Sequence, residues 1–296
     1  MLKALKKEGE VKEKTKEIML RKYLSYAIIY LFMSVLIVFF LSPFTWLVLS
    51  AFDPKASPNF RIPETYTIKW FVMLFEPISA YFRVRPIDWI INSIIISTSV
   101  ATLVTLLSVM SAYPLTRFQF KGQKAILNIF VTLRLLPLVV VVIPIVLIFV
   151  KIGLMNTYLG LILVMTTMTL PFGLLIAEGY FRALPKEYEE AAMVDGLSRW
   201  EAFLYITLRL ALPGITTIWL LSFVTAWGEF LLPLVILRRP SLYPASVGIY
   251  YWFGVYGRVE YGRISAFSIV YSIPVILVFL FTRRYLTRGV AGLVTR

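Results

Sequence analysis

A polar segment between two apolar runs carries the side chains best suited to recognition chemistry. It reads Glu189-Glu190-Ala191-Ala192-Met193-Val194-Asp195-Gly196. Three carboxylates and two alanines give this segment an acidic surface that another chain can approach closely. In a chain that is otherwise largely apolar, we expect such a segment to bind a partner from the aqueous side. An ordinary interfacial loop stays open as the alternative, because helix propensity alone does not exclude it.

Several kinds of chemistry are excluded by residue types that the chain lacks. It has no cysteine and no histidine, which excludes thiol catalysis, disulfides, thiolate metal sites and the usual proton shuttle. The Gly-x-x-x-x-Gly-Lys-Ser/Thr pattern that cradles nucleotide phosphates does not occur in the sequence. No pair of carboxylates has a spacing that supports acid–base catalysis. We therefore predict that the chain is not an enzyme and binds no cofactor and no metal ion itself.

Three residues inside apolar runs are candidates for a solute pathway or for intramembrane structure: Arg134, Trp227 and Glu229. Charged side chains are costly in hydrocarbon, so we treat each charged residue there as a candidate functional residue. Arg134 also fits a structural ion pair or a side chain that extends to the membrane surface. Glu229 lies between Gly228 and Pro233, which favours a helix break. It either lines a path or satisfies the backbone groups that such a break frees.

The elements that would position these residues are membrane-spanning helices. Apolar residues make up 59% of the 296 residues, more than in a typical soluble domain. Six runs are each long enough to cross about 30 Å of hydrocarbon at about 1.5 Å per residue. They are 23–52, 89–116, 125–150, 152–177, 210–237 and 264–282. The sequence predicts an all-α polytopic membrane protein with six transmembrane helices.

The basic residues indicate the orientation of these helices. The chain has 30 Lys and Arg and a net charge of +14, which in a soluble protein would point to nucleic acid. With the N-terminus inside, the inner segments hold 19 of them, the outer loops hold 10, and Arg134 lies within a span. The positive-inside rule then places both termini in the cytoplasm. Because topology accounts for the charge, we expect membrane lipid, and no nucleic acid, beside these residues.

The spans divide the chain into segments with different surroundings. These are a basic cytoplasmic arm at 1–22, a first transmembrane helix at 23–52, an extracellular loop at 53–88, a core domain at 89–282 that includes a cytoplasmic loop at 184–206, and a cytoplasmic tail at 283–296. The two longest outer loops are rich in Tyr and Trp, which favour the membrane interface. They form either an aromatic belt or a platform for an outside partner. We expect the first of them to hold a short helix at the surface.

The loop at 184–206 has the signals of a helix, a turn and a second helix. Pro185 suits the first position of a helix, and the carboxylates after it favour the positive end of the helix dipole. Gly196 can take the left-handed conformation that ends a helix. Ser198 and Glu201 have the spacing of a capping box for the next helix. The loop is predicted to be a short acidic helix, a sharp turn and a helix that returns to the membrane.

This loop resembles the EAA loop in permease subunits of binding-protein-dependent ABC importers. The shared positions are Glu190-Ala191-Ala192-x-x-x-Gly196, then nine residues, then Ile206-x-Leu208. The family usually continues with Leu-Pro, whereas here Arg209 follows and the next proline is Pro213. That departure affects the return into the membrane, where we expect Arg209 to lie at the level of the lipid headgroups.

The resemblance covers roughly residues 60–296 and is strongest to the smaller six-span permease of maltose- and trehalose-type sugar importers. Further fragments that carry it are Arg134-Leu135-Leu136-Pro137, Gly153-Leu154-Met155-Asn156-Thr157, Leu170-Pro171-Phe172, Trp227-x-Glu229-Phe230 and Gly289-x-x-x-Gly292. The resemblance implies the type I permease fold of ABC importers. It also implies transport of a di- or oligosaccharide, such as maltose or trehalose, across the cytoplasmic membrane.

The resemblance further implies partners. The loop would be a coupling helix seated in a cleft of a cytoplasmic ATPase subunit, with Glu190 facing a basic residue there and Gly196 setting the turn. The residues implied in ATPase coupling are Glu189, Glu190, Ala191, Ala192, Asp195, Gly196, Ile206 and Leu208. A second homologous permease, an ATPase dimer and an extracellular solute-binding protein would complete the transporter, and ATP hydrolysis would belong to the ATPase.

Two other functions stay open. The first is an importer of the same family for a non-sugar solute. A cationic solute would favour acids in the path, where only Glu229 and Glu178 are available. The second is a secondary transporter or channel that works alone, which predicts ion-coupling carboxylates at mid-membrane and an internal inverted repeat. We find neither signal in the sequence.

Overall fold

The computed structural model describes the backbone of residues 2–78, 83–256 and 259–294 and the side chains of 19, 21–78, 83–133, 135–250 and 259–283. Within these ranges every regular element is a helix. The α-helices are, in chain order, α1 (Leu2–Phe52), α2 (Lys69–Val72), α3 (Pro86–Arg117), α4 (Gln123–Arg134), α5 (Leu138–Ile152), α6 (Tyr158–Ala183), α7 (Glu187–Val194), α8 (Arg199–Ala202), α9 (Leu208–Leu210), α10 (Leu212–Gly228), α11 (Leu231–Ile236), α12 (Ala245–Tyr256) and α13 (Tyr261–Val294). A π-helical turn (Phe203–Thr207) precedes α9, and a 3-10 turn (Pro240–Leu242) precedes α12.

Membrane-crossing length and composition are found in four unbroken helical segments of the described chain. These are Arg21–Phe52, Pro86–Arg117, Tyr158–Ala183 and Tyr261–Arg283. Two bent helix pairs bring the number of spans to six if each pair crosses the membrane once. The predicted all-α polytopic fold is confirmed. The backbone of the predicted tail continues the last helix as far as Val294.

The third predicted span, 125–150, which Arg134 interrupts in the sequence, is a sharply bent helix pair in the structure. Helix α4 ends at Arg134, α5 begins at Leu138, and the two helices enclose an angle of 98°. Pro137 stands in an extended conformation before α5. It has no N–H to donate and its ring obstructs the preceding turn, so an α-helix does not continue through it.

The fourth span begins later than predicted, at Tyr158 and not at 152. Gly153 takes the left-handed conformation, with φ of 72°, and ends α5. Four residues on, Thr157 caps α6, because its hydroxyl accepts a hydrogen bond from Gly160 N at 3.0 Å. The local capping chemistry therefore shifts the span along the chain.

The fifth predicted span, 210–237, is broken between Gly228 and Pro233, as these two residues predict. Helix α10 ends at Gly228 and α11 begins at Leu231. Glu229 satisfies the start of the second piece, because its Oε1 accepts hydrogen bonds from Leu231 N at 2.9 Å and Leu232 N at 3.2 Å. A buried break in a membrane helix needs such a partner for the freed N–H groups.

Helix α3 lies at the centre of the bundle and packs most extensively against α6 and α10. Ile96 and Val104 of α3 are buried in one core cluster with Leu174 of α6 and Ile218 of α10. Gly173 of α6 lies directly against α3. Lipid tails are as apolar as these side chains, so close packing through small residues is what holds membrane helices together.

Helix α1 stands apart from this bundle along most of its length. Its apolar part, Arg21–Phe52, has no buried residue in its most hydrophobic window. Its last turns make contact, where Ala51 is buried and Trp46 meets the ring of Tyr261 edge-on at 6.3 Å. The predicted arm at 1–22 is continuous with the first span in one helix.

The start of α3 holds the loop 237–244 at the end of the bundle opposite α7, which we call the far end. Trp89 Nε1 donates to Pro240 O at 2.8 Å. Asn92 Nδ2 donates to Ser241 O and Tyr243 O, both at 2.9 Å. These contacts attach the loop firmly to α3, since each satisfies a backbone carbonyl with a side chain from the central helix.

The segment after α1 is also well anchored at the far end. Arg61 donates to both oxygens of Asp53, at 2.6 and 2.7 Å, and Trp70 Nε1 donates to Asp53 O at 2.8 Å. The hydrogen bond from Arg61 lowers the pKa of Asp53. The predicted short surface helix is present as α2, and the ring of Trp70 is buried against Gly262.

Candidate functional site

The acidic segment forms a compact helix–turn–helix at residues 187–202, which we call the knob. Its first helix, α7, has three carboxylates in its first turn, at Glu187, Glu189 and Glu190. They favour the positive end of the helix dipole. The helix begins at Glu187 and not at Pro185 as predicted, because Lys186 O already accepts the first helical hydrogen bonds, from Glu189 N and Glu190 N at 3.0 Å.

The turn of the knob depends on Gly196. Its φ is 99°, a conformation that glycine adopts without steric cost. Gly196 N donates to Met193 O, and Leu197 N donates to Ala192 O, both at 3.1 Å. This pair of hydrogen bonds is the Schellman motif, which satisfies the last carbonyls of α7. The glycine turn predicted from the sequence is present.

The second helix of the knob starts with the predicted capping box. Ser198 N donates to Glu201 Oε2 at 2.8 Å, and Glu201 N donates to Ser198 Oγ at 3.3 Å. Two backbone N–H groups at the start of α8 are thereby satisfied reciprocally. Both ends of the turn are therefore fixed, and the knob is a rigid projection.

The exposed surface of the knob is acidic around an apolar tip. Glu190, Ala191, Asp195 and Gly196 are exposed, and Val194 is 87% exposed. Nothing in the described chain covers this valine, and exposed carboxylates lie beside it.

The remaining residues of the implied coupling set lie elsewhere. Glu189 and Ala192 are buried, so neither side chain is free to touch a docked protein in this arrangement. Ile206 and Leu208 are half-buried on the return towards the membrane. The resemblance implied all eight residues in ATPase coupling, and the structure divides them into an outward-facing group and an inward-facing one.

Glu189 belongs to a buried network that the sequence analysis missed. Its Oε1 accepts from Arg117 Nε at 2.7 Å, and its Oε2 accepts from Tyr113 Oη at 3.0 Å. The Tyr113 ring lies 4.3 Å from that of Phe203, and the Arg199 guanidinium lies 5.1 Å from the Phe118 ring. The only signal for this network was an arginine at the end of the charge-free second span. Its position in the sequence indicates orientation and does not identify a partner.

The return to the membrane contains a π-helical turn at Phe203–Thr207. Leu208 N donates to Phe203 O, which adds one residue to the turn. Such turns occur often at functional sites. The helical segments before and after Ala211 then meet at 70°, and Arg209 is exposed. No residue pattern in the sequence had indicated the π-helical turn.

A cavity of about 330 Å³ lies between the α4–α5 bend, α6, α10 and α11. Its lining combines apolar, thioether and hydroxyl side chains with one carboxylate. The lining residues are Leu133, Leu136, Leu138, Met165, Met168, Thr169, Phe172, Thr225, Ala226, Glu229 and Leu232. Small-molecule sites are typically concave and mostly apolar, with a few polar groups that orient the ligand.

The three intramembrane candidates have different positions relative to this cavity. Glu229 lines it while also capping α11. Trp227 does not line it: the ring is buried and stacked between Phe223 and Tyr271 at 5.5 and 5.0 Å. The side chain of Arg134 lies outside the described residues. In the part of the chain that is described, no three Asp or Glu side chains are grouped closely enough to hold a metal ion.

Comparison with known proteins gives the chain its family. Residues 104–292 match the binding-protein-dependent transport system inner membrane component family. The chain belongs to this family. The permease is therefore a multi-pass component of a membrane transport system that depends on a binding protein, and not an enzyme.

Two curated relatives resemble most of the permease. The diacetylchitobiose uptake system permease protein NgcG of Streptomyces coelicolor is 30% identical over 269 residues, which are 88% of this chain and 85% of that one. The trehalose/maltose transport system permease protein MalG of Thermococcus litoralis is 30% identical over 254 residues, 85% of this chain and 90% of that one.

Solved structures show the same fold. A chain from a bacterial ABC transporter involved in the import of the acidic polysaccharide alginate matches with a TM-score of 0.74 at 19% identity, over 87% of the permease and 95% of that chain. A bacterial alginate ABC transporter in complex with an alginate pentasaccharide-bound periplasmic protein matches with a TM-score of 0.61 at 21% identity, over 90% and 95%. The permease thus has the fold of an ABC importer permease.

Proposed function

We propose that the permease translocates a di- or oligosaccharide in an ATP-driven importer and that the knob is where the ATPase docks. The observation that carries this proposal is the rigid knob, which presents Glu190, Asp195 and an exposed Val194 outward. A permease that has no phosphate-binding loop of its own needs a separate source of energy. A rigid projection is suited to move together with an ATPase that is docked on it.

The solute class rests on the relatives and on the cavity. Diacetylchitobiose, trehalose and maltose stand in the names of the relatives. The cavity beside Glu229 supplies the hydroxyls of Thr169 and Thr225 and the ring of Phe172. Hydroxyl and aromatic groups suit a neutral polyhydroxylated solute. Glu229 is the pathway residue that we assign: Oε1 caps α11, and a sugar hydroxyl can donate to the carboxylate from the cavity.

The proposed assembly has the partners that the fold can accommodate. A second homologous permease would complete the pathway, an ATPase dimer would bind the knobs, and a solute-binding protein would dock at the far end. The far-end loop 237–244 is held rigidly by Trp89 and Asn92, which suits a docking platform. We place the knob and both termini on the cytoplasmic side, as the distribution of basic residues predicts.

Reconstitution tests this function directly. The permease, its partner permease and its ATPase are placed in liposomes that contain ATP, with the solute-binding protein outside. Uptake of labelled disaccharide is then measured against the same liposomes with ADP inside. We expect ATP-dependent uptake, reduced to background by Glu190→Lys and by Gly196→Asp while both variants remain in the membrane. Full uptake by both variants would remove the coupling role of the knob.

A second measurement tests the dock itself. Deletion of residues 185–198 should abolish co-purification of the ATPase with the permease, because it removes the exposed acidic surface. Retained binding would mean that the ATPase docks on another surface.

Uptake of a cationic solute instead of a sugar would favour the non-sugar importer, and uptake by the permease alone would favour a secondary transporter.

A further inference from the structure

The knob is joined to the bundle by a buried ion pair. The Arg117 and Glu189 side chains are only 5% and 8% exposed, and Arg117 Nε lies 2.7 Å from Glu189 Oε1. The second carboxylate oxygen is used as well, by the Tyr113 hydroxyl at 3.0 Å. A buried carboxylate with both oxygens satisfied is held in one orientation.

Arg117 also ties a third element into this junction. Its Nη1 donates to Phe181 O at 3.0 Å, and its Nη2 donates to Leu184 O at 3.2 Å. These carbonyls lie at the C-terminal end of α6, where Phe181 O also accepts from Leu184 N at 3.3 Å and where the helix dipole favours a cation. One guanidinium therefore connects the end of α3, the end of α6 and α7.

The junction lies directly behind the exposed surface of the knob. Glu190 faces outward, while its neighbour Glu189 faces inward onto Arg117. A displacement applied at Glu190 therefore reaches Arg117 through a single peptide unit. From Arg117 it passes to α3, whose other end holds the far-end loop through Trp89 and Asn92.

We propose that Arg117 and Glu189 are positioning residues that transmit the movement of the knob to α3 and α6, so that motor action at the knob becomes movement of the spans. The proposal rests on the proposed function of the permease. Stability alone is a poor explanation for the pair, because well-packed apolar residues often stabilise a buried site as well as an ion pair does. A planar fork with several fixed hydrogen bonds sets direction as well as distance, which transmission of movement requires.

The test separates the use of ATP from transport. Glu189→Gln keeps the shape of the side chain and removes its charge. In the reconstituted complex, we expect this variant to bind the ATPase normally and to hydrolyse ATP, while solute taken up per ATP falls about 10-fold, within the range of measured coupling effects. Arg117→Lys keeps the charge and loses the fork, and we expect it to lower the same ratio.

Glu178→Gln is the matched control. It also removes one carboxylate from an ion pair near the end of α6, but its partner Arg182 lies on the same helix. We expect its ratio of uptake to hydrolysis to equal that of the unaltered complex. The proposal is overturned if Glu189→Gln and Arg117→Lys keep the normal ratio, or if uptake and hydrolysis fall in equal proportion.

Three further outcomes are distinguishable. If Glu189→Gln does not fold, Arg117→Lys carries the test alone against the same control. If the unaltered complex shows no ATP-dependent uptake, the proposed function fails. If it shows uptake and both variants keep its ratio of uptake to hydrolysis, the proposed junction fails and the proposed function stands.

Discussion

Two neighbouring carboxylates in the knob have opposite surroundings. Glu190 is exposed, whereas Glu189 is 6% exposed and bonded to Arg117 and Tyr113. On a helix, adjacent residues point about 100° apart, so one side of α7 faces solvent and the other faces the bundle. At the scale of the residue, the knob therefore has one acid suited to a partner and one that attaches it to the protein.

Substitution of Gly196 tests the left-handed turn. We expect Gly196→Ala to destabilise the purified permease by about 1 kcal/mol, because a Cβ disfavours the left-handed conformation. Gly196→Asn should cost less, since asparagine tolerates that conformation. The space around Gly196 is open, so neither side chain clashes. Thermal unfolding in detergent measures both. Equal loss from Ala and Asn would show that φ is not the cause.

Acidification tests the anchor at the far end. The hydrogen bond from Arg61 lowers the pKa of Asp53. The ionised carboxylate therefore stabilises the fold fully above the unfolded pKa of about 3.9, and the contribution is lost as pH falls through the lowered folded pKa. We expect Asp53→Asn to lower the unfolding temperature at pH 7 and to differ less from the unaltered protein near pH 3.

The control for this pH series is Glu76→Gln, an exposed acid in the same segment. Its unfolding temperature should follow that of the unaltered protein at every pH. A difference between Asp53→Asn and the unaltered protein that stays constant from pH 7 to pH 3 would contradict the role of the ionised pair.

Close helix contacts determine the bundle at the scale of the element. Helix α3 lies against α6 where Gly173 meets Val104 and Ser108, and a Cβ placed on Gly173 would stand 2.8 Å from Val104 Cγ1. The missing side chain is thus what lets the two helices approach. Helix α3 can act as one body because it is unbroken from Pro86 to Arg117.

Gly173→Ala tests that contact. We expect it to destabilise the permease by about 1–3 kcal/mol, because the added methyl group overpacks a filled interface. Gly179→Ala is the matched control, since Gly179 lies on the same helix with open space around it and alanine favours a helix. Unfolding temperatures in detergent compare the two. A neutral Gly173→Ala would mean that α3 and α6 separate without cost.

At the scale of the whole molecule, the permease has two ends with different attachments. The knob and the turn at Lys121 lie at one end, and the loop 237–244 lies at the other, with α3 running between them. A helix of 32 residues spans about 48 Å at 1.5 Å per residue. The proposed orientation places the first end in the cytoplasm.

Labelling of single cysteines tests that orientation, because the chain has no cysteine of its own. Lys121→Cys and Arg238→Cys replace exposed side chains at the two ends. In intact cells, a membrane-impermeant maleimide should label only Arg238→Cys, and permeabilised cells should allow labelling of both. Labelling of Lys121→Cys in intact cells would reverse the topology and move the knob outside.

Local patterns in the sequence were enough for several elements. The capping box at Ser198 and Glu201, the glycine turn at Gly196 and the helix break near Glu229 were all predicted. Each depends on residues within a few positions of one another, so the chemistry that decides it is written in a short stretch of chain. The apolar runs likewise predicted the polytopic helical fold, because hydrocarbon leaves a backbone few alternatives to the helix.

Tertiary structure decided which side chains meet. The sequence did not show that Glu189 turns inward, because its partners Arg117 and Tyr113 are more than seventy residues away. Nor did it show that Trp227 packs in the core while Glu229 borders the cavity, or that the third span bends by 98°. Composition determined that this chain lies in a membrane and that its knob is acidic and sharply turned. Only the packing of distant helices decided which acid faces solvent and which one joins the knob to the spans, since that choice depends on contacts that no local pattern encodes.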